Sequence, residues 1–237
     1  MCEGHGHTHD HGERRVVSIE EKVLSKNDAI ADETRHELAH RGAFMVNILS
    51  APGSGKTTLL EKAIPLLMRD LPVAVIEGDV QTRYDAERLR RCGVAAVQIN
   101  TGGGCHLDAD GVARVLAREP FLSAKIVVIE NVGNLVCPAA FDVGEDEKLV
   151  VLSVTEGDDK PEKYPAAFAH ASAAVISKID LLPHVSFDVD RCKEGIWQVN
   201  PDLPVMLLSS TTGEGLDAFV SWLRGRYEHK ALQPHHH

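Results

Sequence analysis

The stretch Ser50-Ala51-Pro52-Gly53-Ser54-Gly55-Lys56-Thr57-Thr58 constrains this chain more than any other. It follows the apolar run Phe44–Leu49 and leads into Leu59, Leu60 and Ile64 at helical spacing. Strand, glycine-rich turn and Lys-Thr helix start form the setting in which backbone N–H groups cradle a phosphate. Gly53 and Gly55 supply positive φ or close backbone approach, with Ser54 and Thr58 in the same cradle. Lys56 reaches the β and γ phosphates, and the Thr57 hydroxyl suits Mg²⁺. Ser50 stands where the pattern GxxxxGK[ST] has its first glycine.

The rest of the chain repeats the same alternation. Apolar runs at Val73–Ile76, Ala95–Ile99, Ile126–Ile129, Leu149–Val154, Ala174–Ile176 and Pro204–Leu208 read as strands. Helices are expected to begin near Lys56, Arg83, Asp110, Asp188 and Leu216. Near-continuous β-branched runs separated by helices predict an α/β fold, a mostly parallel sheet covered by helices on both faces. Residues 43–230 form this P-loop domain, and residues 16–42 an amphipathic helical extension closed by Gly42. Residues 1–15 read as a disordered His-rich tail, and 231–237 as a tail without fold information.

A net charge of -10 and the lack of a basic stripe argue against nucleic acid as a partner. No apolar run approaches the roughly 20 residues of a membrane helix, and the polar, His-rich start is no signal peptide. A cytoplasmic protein is expected. Its five cysteines lack a disulfide-scaffold pattern, which leaves free thiols or metal ligands.

Acidic residues at strand ends extend the phosphate chemistry. Asp79 follows the second strand and is the first choice for a Mg²⁺-associated carboxylate, with Asp85 a further candidate. Glu130 ends another strand, placed to orient water or a metal-bound water, and Gly133 offers an amide to the γ-phosphate. Lys56, Thr57, Asp79 and Glu130 are therefore the candidate catalytic residues. Base choice rests on Ser177-Lys178-Ile179-Asp180, because a carboxylate at Asp180 accepts both the ring N–H and the exocyclic amine of guanine. The Lys178 stem packs over the base, and Ser209-Ser210 belong to a loop that completes the pocket. GTP is favoured over ATP. Ser177 replaces the usual Asn, which puts one base or loop-bracing hydrogen bond in question.

A second chemistry lies beside the first. Cys105-His106 follows the loop Thr101-Gly102-Gly103-Gly104, and Cys137 lies four residues after Gly133. Thiolate and imidazole together suit Ni²⁺ or Zn²⁺. Three ligands leave a tetrahedral or square-planar set incomplete, so water or a second subunit supplies the rest. Asp108 and Asp110 are extra candidates, whereas Cys92 and Cys192 read as core filler. In the tail, Cys2, His5, His7, His9 and His11 form a separate donor set for nickel.

These segments resemble a known family, the HypB-type GTPases that assist nickel insertion into [NiFe]-hydrogenase. The resemblance runs through Met1-Cys2 and the His-rich tail, 50–58, 77–89, 102–109, 130–139, 155–165, 177–183 and 211–219. It implies a SIMIBI-type GTPase that forms a GTP-dependent homodimer, with Mg²⁺ as cofactor and Ni²⁺ or Zn²⁺ at Cys105, His106 and Cys137. It also implies nickel-delivery proteins and the hydrogenase large subunit as partners. Of the CxxCGC motif some members carry at the start, only Cys2 is present. The alternatives are a urease-type nickel-insertion GTPase, whose Cys-Pro-His run this chain lacks, and a nickel-storage protein with a regulatory nucleotide site.

Overall fold

The computed structural model describes residues 10–79 and 84–232, with the side chains of residues 10–23 and of Asp79 left out. Cys2, His5, His7 and His9 therefore lie outside the described residues, and His11 enters only as backbone. Among the described residues, seven strands form one all-parallel sheet: β1 (Phe44–Ser50), β2 (Val73–Asp79), β3 (Ala95–Asn100), β4 (Ile126–Glu130), β5 (Glu147–Ser153), β6 (Ala173–Ser177) and β7 (Val205–Leu208). Their order is β3-β2-β4-β1-β5-β6-β7, with β1 at the centre.

The longer helices are α1 (Asp10–His40), α2 (Lys56–Leu67), α3 (Tyr84–Arg91), α4 (Ala109–Leu116), α8 (Val189–Val199) and α9 (Leu216–Leu232). Three short ones, α5 (Cys137–Ala140), α6 (Lys160–Lys163) and α7 (Pro165–Ala169), fall in stretches for which the sequence predicted no element. Each has Pro in its first turn, where the missing N–H costs nothing. At four or five residues they are too short to show a periodicity.

Period-two alternation sorts β1 between the two faces of the sheet. Phe44, Val46 and Ile48 pack with Leu59, Leu60 and Ile64 of α2, Leu89 of α3 and Phe219 of α9. Met45 faces the other side, with Leu38 of α1 and Val112 and Leu116 of α4. Each such fully buried side chain contributes about 1.5–3 kcal/mol relative to exposure. Asn47 shares the Met45 face and is buried, a polar residue in an apolar strand.

α1 begins at Asp10, ahead of the boundary expected near residue 16, and is a single helix where one or two were expected. Glu13, Arg14 and Arg15 are good helix formers and extend the pattern toward the N-terminus. The helix stops as the sequence predicts. Gly42 takes φ +58°, Ala43 N donates to Leu38 O (2.9 Å) and Gly42 N to Ala39 O (2.9 Å), a Schellman closure. No described helix is long and apolar enough to cross a membrane.

Candidate nucleotide and metal sites

The loop between β1 and α2 opens at the carboxyl edge of the sheet, where ligands of open α/β sheets bind. Gly53 and Gly55 have φ of +77° and +94°, which L side chains rarely adopt. Ser50 is still extended backbone within β1, so its position does not demand glycine. Its hydroxyl accepts from Lys56 Nζ and donates to Ala51 O (2.7 Å). Burial lowers the Lys56 pKa, opposed chiefly by the Glu130 carboxylate. The loop walls a cleft of about 600 Å³ whose far side is formed by Glu130, Asn131, Val132 and Gly133.

Thr57 Oγ1 donates to Glu130 Oε1 at 2.6 Å, and both residues are buried. Burial pushes the Glu130 carboxyl up to about 7 although Thr57 and Lys56 pull it down. Glu130 Oε2 is buried without a hydrogen-bond partner among the described residues. A hydroxyl and an unsatisfied carboxylate oxygen side by side fit a hydrated Mg²⁺, which takes one or two protein oxygens and keeps several waters. Asp79 ends β2, and its side chain is not described. Asp85 lines the cleft but is paired with Arg88 (3.1 Å), which also holds Glu61 and Thr58 Oγ1.

Ser177 supplies the brace that its identity put in question. Its buried hydroxyl donates to Ser54 O at 2.6 Å and ties β6 to the phosphate loop. Lys178, in the left-handed region at φ +60°, adds a bond from Nζ to Gly53 O (2.7 Å). Asp180 Oδ1 accepts from Ser209 Oγ at 2.5 Å, and the same hydroxyl accepts from the Thr211 and Thr212 amides. The two segments expected to form the guanine pocket are thus joined directly, with Ser210 next in the loop.

The donor atoms of Cys105, His106 and Cys137 all lie within 4.8 Å of one another, at half-buried positions. Cys105 Sγ is 3.5 Å from His106 Nδ1. The Cys137 thiol holds Cys105 above the usual thiol range, and burial lowers the His106 pKa, favouring the neutral ring that metals bind. His106 stacks on Phe141, ring centroids 3.6 Å apart. Asp108 and Asp110 are engaged elsewhere: Asp108 caps α4 through Gly111 N (2.7 Å), and Asp110 pairs with Arg114 (2.5 Å).

Cys137 is tied to the nucleotide cleft by a short, tightly packed segment. A Cβ on Gly133 would stand 3.0 Å from Pro52 Cα and Cγ, so this glycine serves close approach. Asn134 forms an antiparallel bridge with Ser50. The phosphate loop and the segment leading into α5 thus rest on each other.

Residues 44–207 match the family described as CobW/HypB/UreG, nucleotide-binding domain. A hydrogenase maturation factor HypB from Escherichia coli K12 is 49% identical over 224 residues, covering 93% of this chain and 77% of that protein. This chain belongs to the HypB family. A HypB from Azotobacter vinelandii is 52% identical over 209 residues, 88% of this chain and 69% of that one. The crystal structure of HypB from Archaeoglobus fulgidus superimposes with TM-score 0.81 at 39% identity, covering 86% of this chain and all (100%) of that one. HypB from Helicobacter pylori, solved in complex with nickel, gives TM-score 0.81 at 40% identity, with coverage of 90% and 99%. The signal recognition particle 54 kDa protein from Aeropyrum pernix, in complex with GDP, shares the fold at TM-score 0.52 and 19% identity, covering 79% of this chain and 48% of that one. The family is that of hydrogenase maturation factors.

Several site-proximal residues in this member escaped sequence reasoning. Asn131, one residue past Glu130, donates through Nδ2 to Asn47 Oδ1 (3.1 Å), and Asn47 donates to Glu145 Oε1 (3.2 Å). Glu145 then accepts from Val143 N at 2.8 Å. The signal was present: Asn47 interrupts an otherwise apolar strand, and a buried amide needs partners. Glu156 accepts from Ser153 N (3.1 Å), and burial raises its pKa. No motif pointed to it.

Proposed function

We propose that this chain is a Mg²⁺-dependent GTPase that carries nickel, or zinc in its place, at Cys105, His106 and Cys137. It acts in the maturation of [NiFe]-hydrogenase. The observation that carries the reading is the convergence of the three donor atoms within 4.8 Å on loops one short segment from the phosphate cleft. The family membership and the nickel named in the Helicobacter pylori structure support the choice of metal.

The phosphate-loop amides and Lys56 hold the β and γ phosphates, and Asp180 with the Ser209-Ser210 loop selects guanine. Thr57 and Asp79 would hold Mg²⁺, with Glu130 meeting it through a metal-bound water and Asp85 extending the acidic rim. When bound, the metal neutralises charge developing on the transferred phosphoryl group. Glu130 orients the attacking water, and Gly133 offers its amide to the γ-phosphate. A shift of Gly133 against Pro52 is passed along to Cys137. Nickel is the cargo. Two chains pair in the GTP state, completing the three-ligand set with a partner donor or water, and hydrolysis resets it. Delivery to the hydrogenase large subunit, with accessory nickel carriers as further partners, takes place in the cytoplasm. The tail set Cys2, His5, His7, His9 and His11 is a second place where nickel is held.

Linkage requires that nickel alter nucleotide affinity by the same factor as nucleotide alters nickel affinity. Nickel titrations into the GDP and GTP-analogue forms test this, read by calorimetry beside Cys137→Ala. Different affinities that converge in the variant are expected. Equal affinities and stoichiometries in the wild type overturn the coupling.

A further inference from the structure

The metal ligands come from the loop before α4 and from the start of α5, and one side chain of the N-terminal helix bonds next to both. Asn27 of α1 donates from Nδ2 to Asp142 O at 2.7 Å and accepts through Oδ1 from Ala109 N at 3.0 Å. Asp142 directly follows Phe141, the ring stacked on His106, and lies five residues beyond Cys137. Ala109 opens α4, three residues beyond His106. A single planar amide therefore spans the segment after α5 and the start of α4, each next to one part of the ligand set.

The surroundings hold this amide in register. Arg35, two turns further along α1, donates from Nη2 to both carboxylate oxygens of Asp142 (2.6 and 2.8 Å) and from Nε to Glu145 O (3.2 Å). A Cβ on Gly144 would stand 2.8 Å from Thr34 Cβ and 2.9 Å from Ala31 O. The 141–145 segment is thus pressed onto α1, while Asn27 alone, among the described hydrogen bonds of α1, reaches across to the other ligand loop.

We propose that Asn27 is a positioning residue of the Cys105/His106/Cys137 centre: by bridging Asp142 O and Ala109 N it sets the thiolate–imidazole geometry offered to nickel. The inference rests on the reading of these three residues as nickel ligands. It assigns α1 a part in metal capture beyond linking the tail to the domain. Groups that orient metal ligands through hydrogen bonds typically change affinity by about 10–100-fold when removed.

The test is nickel binding to the full chain, followed by thiolate-to-nickel charge-transfer absorption as well as by affinity. Subtracting the spectrum of Cys137→Ala isolates the core centre from the tail donors. Asn27→Ala is expected to shift the difference band and weaken the core affinity about tenfold or more, with GDP affinity unchanged. Asn27→Asp keeps an acceptor for Ala109 N but sets a carboxylate against Asp142 O. It is expected to shift the band in the same sense, and it replaces Asn27→Ala should that variant not fold.

Arg41→Ala serves as the structural control. It loosens the end of α1 by removing bonds to Leu116 O and Leu122 O and touches neither ligand loop. It is expected to lower the thermal midpoint while leaving the band in place. An unchanged band and affinity in both Asn27 variants overturns the proposal, as does an equal change in Arg41→Ala. Identical nickel binding by wild type and Cys137→Ala overturns the ligand reading itself, and the proposal with it.

Discussion

The Thr57 hydroxyl donates to Glu130 Oε1 at 2.6 Å, joining the first turn of α2 to the end of β4 inside the nucleotide cleft. Burial dominates this carboxyl and raises it to about 7 from an ordinary value near 4.5. Below 4.5 both folded and unfolded chains hold the proton. Between 4.5 and about 7 the folded chain keeps a proton that the unfolded chain has released, so stability falls as pH rises through that window. Glu130→Gln removes this contribution. Urea midpoints of the nucleotide-free, Mg²⁺-free protein across that pH range are expected to fall less steeply for the variant. Parallel wild-type and variant curves would refute the assignment.

Ser177 makes a bond that its identity did not advertise. Ser177→Ala removes the donor to the buried Ser54 carbonyl and leaves that oxygen unsatisfied, at a cost of about 1–3 kcal/mol. Because the bond holds the phosphate loop, GDP affinity is expected to fall together with the chemical-denaturation midpoint. A variant with lowered stability and unaltered GDP affinity would show that the brace does not shape the cleft.

These two residues mark what was legible in the sequence. The central strands and the phosphate loop were readable because their signals are local: β-branched runs, two glycines and Lys-Thr at fixed spacing. Glu130 was readable as a strand end, and the Cys105, His106 and Cys137 set as a donor list. Asn27 was not, because its partners are 82 and 115 residues away and only tertiary packing brings them to it. The brace that Ser177 supplies was hidden for a related reason: its acceptor, Ser54 O, lies 123 residues away. Asp85 was singled out by its acidity alone, and local sequence does not show how Arg88 is shared among Asp85, Glu61 and Thr58.

Gly133 tests the contact between the two sites. A Cβ there would meet Pro52 Cα, Cγ and N at 3.0–3.1 Å, and two of those atoms are backbone that cannot rotate aside. Gly133→Ala must displace either the phosphate loop or the segment leading to Cys137, an overpacking cost of about 1–3 kcal/mol. GTP-analogue affinity is expected to fall more than tenfold, with the nickel isotherm altered as well. Changed nucleotide binding beside an unchanged nickel isotherm would break the link between Gly133 and Cys137.

Thiol chemistry separates the cysteines by environment. Cys192 is fully buried on α8 against the β5–β6 core, and desolvation pushes its thiol up to about 12. The thiolate is the reactive form, so Cys192 stays inert at pH 8. Cys92, Cys105 and Cys137 are each partly exposed. With a maleimide under native conditions, Cys137 is expected to label first, Cys105 more slowly because its raised pKa leaves less thiolate, and Cys192 only after denaturation. Nickel at the three-residue centre protects Cys105 and Cys137 together, because both sulfurs lie in one ligand set. Peptide mapping of labelled protein with and without nickel reads both effects. Protection of one sulfur without the other would mean that the two loops do not share a metal ion.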